Sequence, residues 1–161
     1  MLARRRGENI KRERVQFSFM NRIIGVIFPV PKEFVDRLLV DKRNIFVKYV
    51  PRTASVQITP KQKLLFYASH GSKEIVGEGL IEAIQFLTPN EVLEKYGHKV
   101  FLNKDELTLY TQRQPNRDSS KKMLVLVLSK LRKYSYPKKF YRSITMVGQY
   151  LTEKEYQELA E

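Results

Sequence analysis

Apolar and polar positions along the chain alternate between two periods, and each stretch names its element. Residues 22–28 form an apolar run closed by Pro29, which predicts a buried strand. Pro31 then stands at a helix-start position, and Phe34, Val35, Leu38 and Leu39 follow at helical spacing, predicting a short amphipathic helix over 31–40. Residues 44–50 read as a second strand stopped by Pro51, 51–60 as a loop, and 63–69 as a third strand. His70-Gly71-Ser72-Lys73 has the composition of a hairpin turn. Residues 74–86 predict a long fourth strand, in which Gly77 and Gly79 point to bulges or a bend.

Helix caps punctuate the second half. Thr88 with Glu91, Asn103 with Glu106 and Thr152 with Glu155 each have capping-box spacing, so helices begin after all three. Gly97 ends the first of them, and 100–102 is short and extended. Residues 113–121 read as a loop, 123–128 as a fully buried strand, and 145–147 as a last short strand before Gly148. Residues 1–19 show neither period. They predict a flexible basic arm ahead of a single domain over 20–161, with Met20 as an alternative start to Met1. Five or six strands, some bent by glycine, with short helices between them, predict an α+β fold: a small mixed, mostly antiparallel barrel with peripheral helices.

Composition removes several classes of chemistry. The 161 residues include no cysteine and only two histidines, so disulfides, Cys-ligated metals, thiol nucleophiles and a His-rich metal site are excluded, and no cofactor is expected. No apolar run approaches the roughly 18 residues that span a bilayer, and no apolar segment follows Arg4-Arg5-Arg6, so a cytoplasmic protein without a membrane partner is expected. The dinucleotide-binding and nucleophile-elbow motifs are absent.

Charge changes the picture more. The formal net charge is +13, which calls for a polyanionic partner. It is unevenly placed: residues 113–142 hold ten Lys/Arg against Asp118 alone, whereas 15–112 hold thirteen against ten acids. Within 129–142 basic and aromatic residues alternate, a pattern suited to phosphates and unpaired bases, although such aromatics can equally pack inward. The phosphate-binding candidates are Arg113, Arg117, Lys121, Lys122, Lys130, Arg132, Lys133, Lys138, Lys139 and Arg142.

Two smaller constellations carry candidate chemistry. Tyr67-Ala68-Ser69-His70 ends a strand, where His70 could bond a ligand and Tyr67 stack on one, or His70 could satisfy the turn. Adjacent strand residues face opposite ways, which argues against a Ser69–His70 dyad. Glu78 and Glu82 share a strand face near Lys63. The first reading is ordinary cross-strand ion pairs, with Lys63 and Glu78 as an acid/base pair the alternative.

Several phrases carry a family likeness: 23–31 (IIGVIFPVP), 65–70 (LFYASH), 74–79 (EIVGEG), 100–107 (VFLNKDEL) and 147–151 (VGQYL). Over about residues 21–152 the chain resembles an archaeal family of PUA-like proteins of unknown function, within the group of ASCH, EVE and YTH pseudo-barrels. That resemblance implies a PUA-like barrel that binds RNA or receives a flipped or modified base in a pocket. The matching positions are Lys48, Tyr67, Ser69, His70, Gln149 and Tyr150. The chain has no tryptophan, so a tryptophan cage is impossible and Tyr or Phe would have to serve. The ASCH pattern of Gly, Lys, Glu and Arg is not reproduced cleanly. The expected function is therefore a nucleic-acid-binding module, with RNA as partner. The alternatives are an amidohydrolase-like enzyme using Lys63 and Glu78 on a modified nucleoside, or a structural, ribosome-associated protein.

Overall fold

The structure, a computed structural model, describes residues 2–69, 73–113 and 121–160. Its elements follow in the order α1 (Leu2–Met20), β1 (Ile23–Pro31), α2 (Lys32–Leu39), β2 (Ile45–Lys48), β3 (Lys63–Ser69), β4 (Glu74–Leu87), α3 (Pro89–Tyr96), α4 (Lys104–Gln112), β5 (Met123–Lys139), β6 (Gln149–Thr152) and α5 (Glu153–Ala160). Short 3-10 turns occupy Arg52–Ala54 and Gly97–Lys99.

The six strands form one sheet in the order β2-β5-β4-β3-β1-β6. β1 and β3 run parallel, and every other pair is antiparallel. The expected α+β class and mostly antiparallel sheet are present, but the barrel is not closed. β2 and β6 are the outer strands, four residues each, and no ladder joins them among the described residues.

Both faces of this sheet are covered, which is why its central strands read as continuous apolar runs. On β1, Val26, Phe28 and Val30 face the larger core with α2, β2 and Leu107 of α4. Ile27 faces a smaller core with Leu65, Tyr67, Ile75, Ile144 and Leu151, against which Tyr156 and Leu159 of α5 pack. The larger core contains a run of rings: Phe28 stacks on Phe46 at 5.7 Å between centroids, and Phe46 on Phe101 at 5.2 Å.

The two glycines of β4 do what their sequence position suggested. The β4–β5 register shifts between Ile75 and Gly77, between Glu78 and Leu80, and again between Ile81 and Ala83. A Cβ at Gly77 would lie 2.5 Å from a Leu39 methyl and 2.6 Å from the Arg132 carbonyl oxygen, so only glycine lets α2 and β5 approach this closely.

Four boundaries differ from the pattern. Pro29 does not stop β1, because β6 pairs with β1 only from Ile23 to Ile27; beyond it β1 has an open side that tolerates proline. β5 runs eleven residues past the apolar segment, to Lys139, because its outer half pairs with the start of β4. The last strand is 149–152 rather than 145–147. Residues 2–20 are helical where an arm without regular structure was expected; a helix that is polar on most of its circumference leaves no apolar stripe to read. The hairpin turn 70–72 lies outside the described residues. Among the described residues, no helix is long and apolar enough to cross a membrane.

Gly77→Ala should destabilise the protein by about 1–3 kcal/mol, since a backbone carbonyl cannot yield as a side chain can. Gly97→Ala is the contrast: its Cβ would meet nothing within 4 Å, so its cost, about 1–3 kcal/mol, is backbone strain at φ 55° and ψ −125° alone. Urea denaturation of Gly77→Ala checks the close packing; an unchanged midpoint would remove it as the reason for Gly77.

Candidate functional site

A cleft of about 420 Å³ opens between the C-terminal half of β1, α2, β2, the 101–102 segment and α4. The elements that build it follow from the local sequence. β1 delivers Pro29 and Pro31 where it loses β6, and α2 begins at once after Pro31, which serves as its N-cap without a side-chain bond. β2 carries Phe46 and ends at Lys48. Asn103 and Glu106 cap α4 reciprocally, the Glu106 amide donating to Asn103 Oδ1 at 2.9 Å and the Asn103 amide to Glu106 Oε1 at 2.9 Å. That cap aims α4 so that Tyr110 and Arg113 reach the rim.

The cleft wall is aromatic and held in place by one arginine. Arg37 donates to Glu106 and, at 3.2 Å, to the carbonyl oxygen of Phe101, while its guanidinium lies 4.7 Å from the Phe34 ring centroid. Phe34 meets Phe101 edge to face at 6.2 Å. The bond from Arg37, opposed by partial burial, holds the Glu106 carboxyl below its ordinary pKa and neutralises that charge. Lys48 is 6% exposed, its Nζ 5.6 Å from the Phe28 ring. The cleft thus combines flat apolar walls with Lys48 and Arg113 as cations and Glu33 as the anion not paired with Arg37.

Of the six positions expected to form a base pocket, only Lys48 lines this cleft. Tyr67 is 5% exposed in the smaller core, because it shares a face of β3 with Leu65 and points away from Phe66. Ser69 ends β3 opposite Pro31, and His70 lies outside the described residues. Gln149 donates to Glu155 at 3.2 Å. The Tyr150 hydroxyl accepts from the Gln57 amide at 3.0 Å and donates to the Thr53 carbonyl at 3.1 Å, fastening the 51–58 loop to β6. The aromatics that do converge, Phe34, Phe46, Phe101 and Tyr110, come from four separate segments, and no local motif marks them. The extended Val100-Phe101-Leu102 just before the Asn103 cap was the nearest signal.

The basic stretch is also divided. Strand alternation and a left-handed residue, Lys130 at φ 49°, send its members to different surroundings. Arg113 stands at the cleft, and Lys121 and Lys122 are exposed at the start of β5. Arg132 pairs with Glu78 and Lys133 with Asp36. Lys138 is half-buried, Lys139 is exposed opposite Glu74, and Arg142 lies over Tyr141 at 5.3 Å. Arg117 lies outside the described residues.

Lys63 and Glu78 do meet, but as part of a larger cluster. Lys63 Nζ donates to Glu78 Oε2 at 2.9 Å and Arg132 Nη2 to Oε1 at 2.5 Å. The hydroxyls of Tyr134 and Tyr156 donate to the same carboxylate at 3.2 and 3.0 Å. Glu82 is tied elsewhere, to Lys61 at 3.2 Å and Ser129 at 2.5 Å. Burial works against the Glu78 charge, yet the bonds from Lys63, Arg132 and Tyr156 outweigh it and leave the carboxyl below its ordinary value. Burial likewise opposes the Lys63 charge, and the bonds to Glu78 and Tyr156 hold its pKa above the ordinary value. Both groups are therefore driven away from neutrality, the opposite of what an acid/base pair needs.

A depressed folded pKa makes Glu78 stabilising above its ordinary value near 4.5, and that contribution is lost as pH falls through the folded pKa. Glu78→Gln should cost about 1–3 kcal/mol at pH 7, and the gap from the parent protein should narrow as pH drops below 4.5. Thermal melts from pH 7 to 3 check this; a gap that stays constant would show that the charge is not what holds the cluster.

Solved structures share the fold. The ASCH protein of Zymomonas mobilis aligns with a TM-score of 0.70 at 16% identity, covering 85% of this chain and 94% of its own. A point variant of that protein gives the same TM-score and identity over 96% of its chain. In sequence, the uncharacterized protein MJECS03 of Methanocaldococcus jannaschii is 33% identical over 108 residues, 60% of this chain and 95% of that protein. The family described as Domain of unknown function (DUF365) matches residues 23–153. Its span takes in every strand and leaves out α1 and nearly all of α5. The chain therefore belongs to the DUF365 family, whose domain here adopts an ASCH-type, PUA-like fold.

Proposed function

We propose that the protein binds nucleic acid, RNA in particular, and that one unpaired base enters the cleft beside Phe34 and Lys48. The observation that carries this reading is a 420 Å³ cleft with aromatic walls and two cations, in a chain of net charge +13. That volume lies in the range of small-ligand sites. Flat rings suit the face of a base, and Lys48 suits its polar edge or the adjoining phosphate. Arg113 at the cleft, and the exposed Lys121 and Lys122 at the start of β5, supply phosphate contacts. The PUA-like resemblance, whose members mostly bind RNA, supports the same reading. The hydrolytic alternative loses ground because Lys63 and Glu78 are held in their charged forms, Glu78 by ion pairs to both Lys63 and Arg132.

Fluorescence anisotropy with a labelled single-stranded RNA, and with the matching DNA, tests it. Affinity should fall steeply between 50 and 200 mM salt, roughly in proportion to the phosphates contacted. Arg113→Ala should lower the salt slope by about one. Phe34→Leu keeps apolar bulk but removes the ring, and should weaken binding about tenfold. Salt-independent binding, or unchanged affinity in Phe34→Leu, would overturn the reading; tighter binding of DNA would reassign the partner.

A further inference from the structure

The opposite side of the sheet holds a second cavity, of about 300 Å³, between the outer half of the β4–β5 ribbon and α5. We propose that it is a second nucleotide subsite, in which Arg132 and Lys138 take a phosphate and Tyr136 stacks on the base. The ligand class rests on the nucleic-acid reading above; the site itself rests on separate observations.

Residues 132, 134, 136 and 138 all line this cavity, and β5 bulges between them: Lys133 pairs with Gly77 and Lys138 with Ile75, so five steps along β5 span only two along β4 and Lys138 is brought back toward Arg132. In order they are cation, ring, ring, cation. The inner pair is anchored. Arg132 gives one N–H to Glu78, and its guanidinium lies 5.1 Å from the Tyr134 ring centroid. A guanidinium has five N–H donors, and this side chain is 64% exposed, so the fork is fixed in direction yet retains donors for an anion. The outer pair is available. Tyr136 is 80% exposed, a large ring with no core to enter, and Lys138 stands beyond it.

Charge favours an anion here despite the buried carboxylate. Glu78 is met by both Lys63 and Arg132, so with Lys138 the cavity and its floor carry three cations against one anion. Of the α5 acids, Glu155 is held at the helix start by Thr152, Tyr141 and Gln149. α5 contributes Tyr156 and Leu159 as the far wall. Tyr156 and Leu159 lie past residue 153, where the family match ends, whereas the strand residues that line the cavity lie within it.

The test uses amide chemical-shift titrations of the full chain with uridine 5′-monophosphate, uridine and inorganic phosphate. The monophosphate should give saturable shifts at residues 132–138 and 154–159, with weaker binding of either part alone. Tyr136→Ala and Lys138→Ala should each weaken it at least fivefold, and Phe34→Leu should leave it unchanged. Both variants are at the cavity mouth, and the spectra report their folding directly. Absence of saturable shifts there, or equal affinity in both variants, overturns the subsite. If RNA affinity falls in Phe34→Leu but not in Tyr136→Ala, the subsite is overturned and the first cleft stands. Monophosphate binding at 132–138 without any RNA binding supports the subsite and overturns only the RNA reading.

Discussion

The Glu78 carboxylate is the point at which β3, β4, β5 and α5 are joined. Lys63 reaches it from β3, Arg132 and Tyr134 from β5, and Tyr156 from α5. A carboxylate 5% exposed is costly unless its lone pairs are filled, and here five donor contacts fill them. The arrangement is specific in a way that apolar packing is not. Each donor must come from a defined register position, so the cluster fixes the pairing of β4 with both neighbours and the seat of α5. Three register shifts in the β4–β5 ribbon would otherwise leave that pairing weakly determined.

The larger core solves a different problem. Its rings extend from Phe28 through Phe46 to Phe101 and emerge at Phe34, so the floor of the cleft is continuous with the interior. Arg37 makes the edge rigid by binding Phe101, Glu106 and the Phe34 ring at once. A cleft supported by packed core has its shape set before any ligand arrives, which lowers the ordering cost of binding. Lys48 is the charged exception on an otherwise apolar strand, buried to 6% exposure with its ammonium beside the Phe28 ring.

Local rules were legible where local physics decided the outcome. β3 was read to the residue, and the capping boxes at Thr88 and Asn103 formed as their spacing implied. The failures have a common cause: pairing decided them, and pairing is not local. β1 passes through Pro29 because a neighbour ends, and β5 continues past Leu128 because a neighbour begins. The site was partly legible for the same reason. The Lys63–Glu78 contact joins two strands that the turn composition at 70–73 marked as a hairpin, and Lys48 was named by the family resemblance. Phe34, Phe101 and Tyr110 approach one another only after two helices and a loop have packed. Tyr67, expected at a pocket from the family resemblance, shares its face with Leu65 and packs in the smaller core.

Strand phase also changes what the charge means. Ten cations in thirty residues look like one surface when written as a line. A strand cannot present them that way, because successive side chains leave on opposite sides. Arg132 goes to Glu78 beneath α5 and Lys133 to Asp36 on α2, so neighbours in sequence are separated by the sheet itself. Each ion pair also removes a cation from the pool that could meet a phosphate, while fixing its direction. In two places cations stand beside exposed or half-exposed rings: Lys48 and Arg113 with Phe34 and Tyr110, and Lys138 with the Glu78-anchored Arg132 beside Tyr134 and Tyr136. A uniform polyelectrolyte surface would show no such coincidence of rings and cations, and it is this coincidence, more than net charge, on which the proposal of base stacking rests.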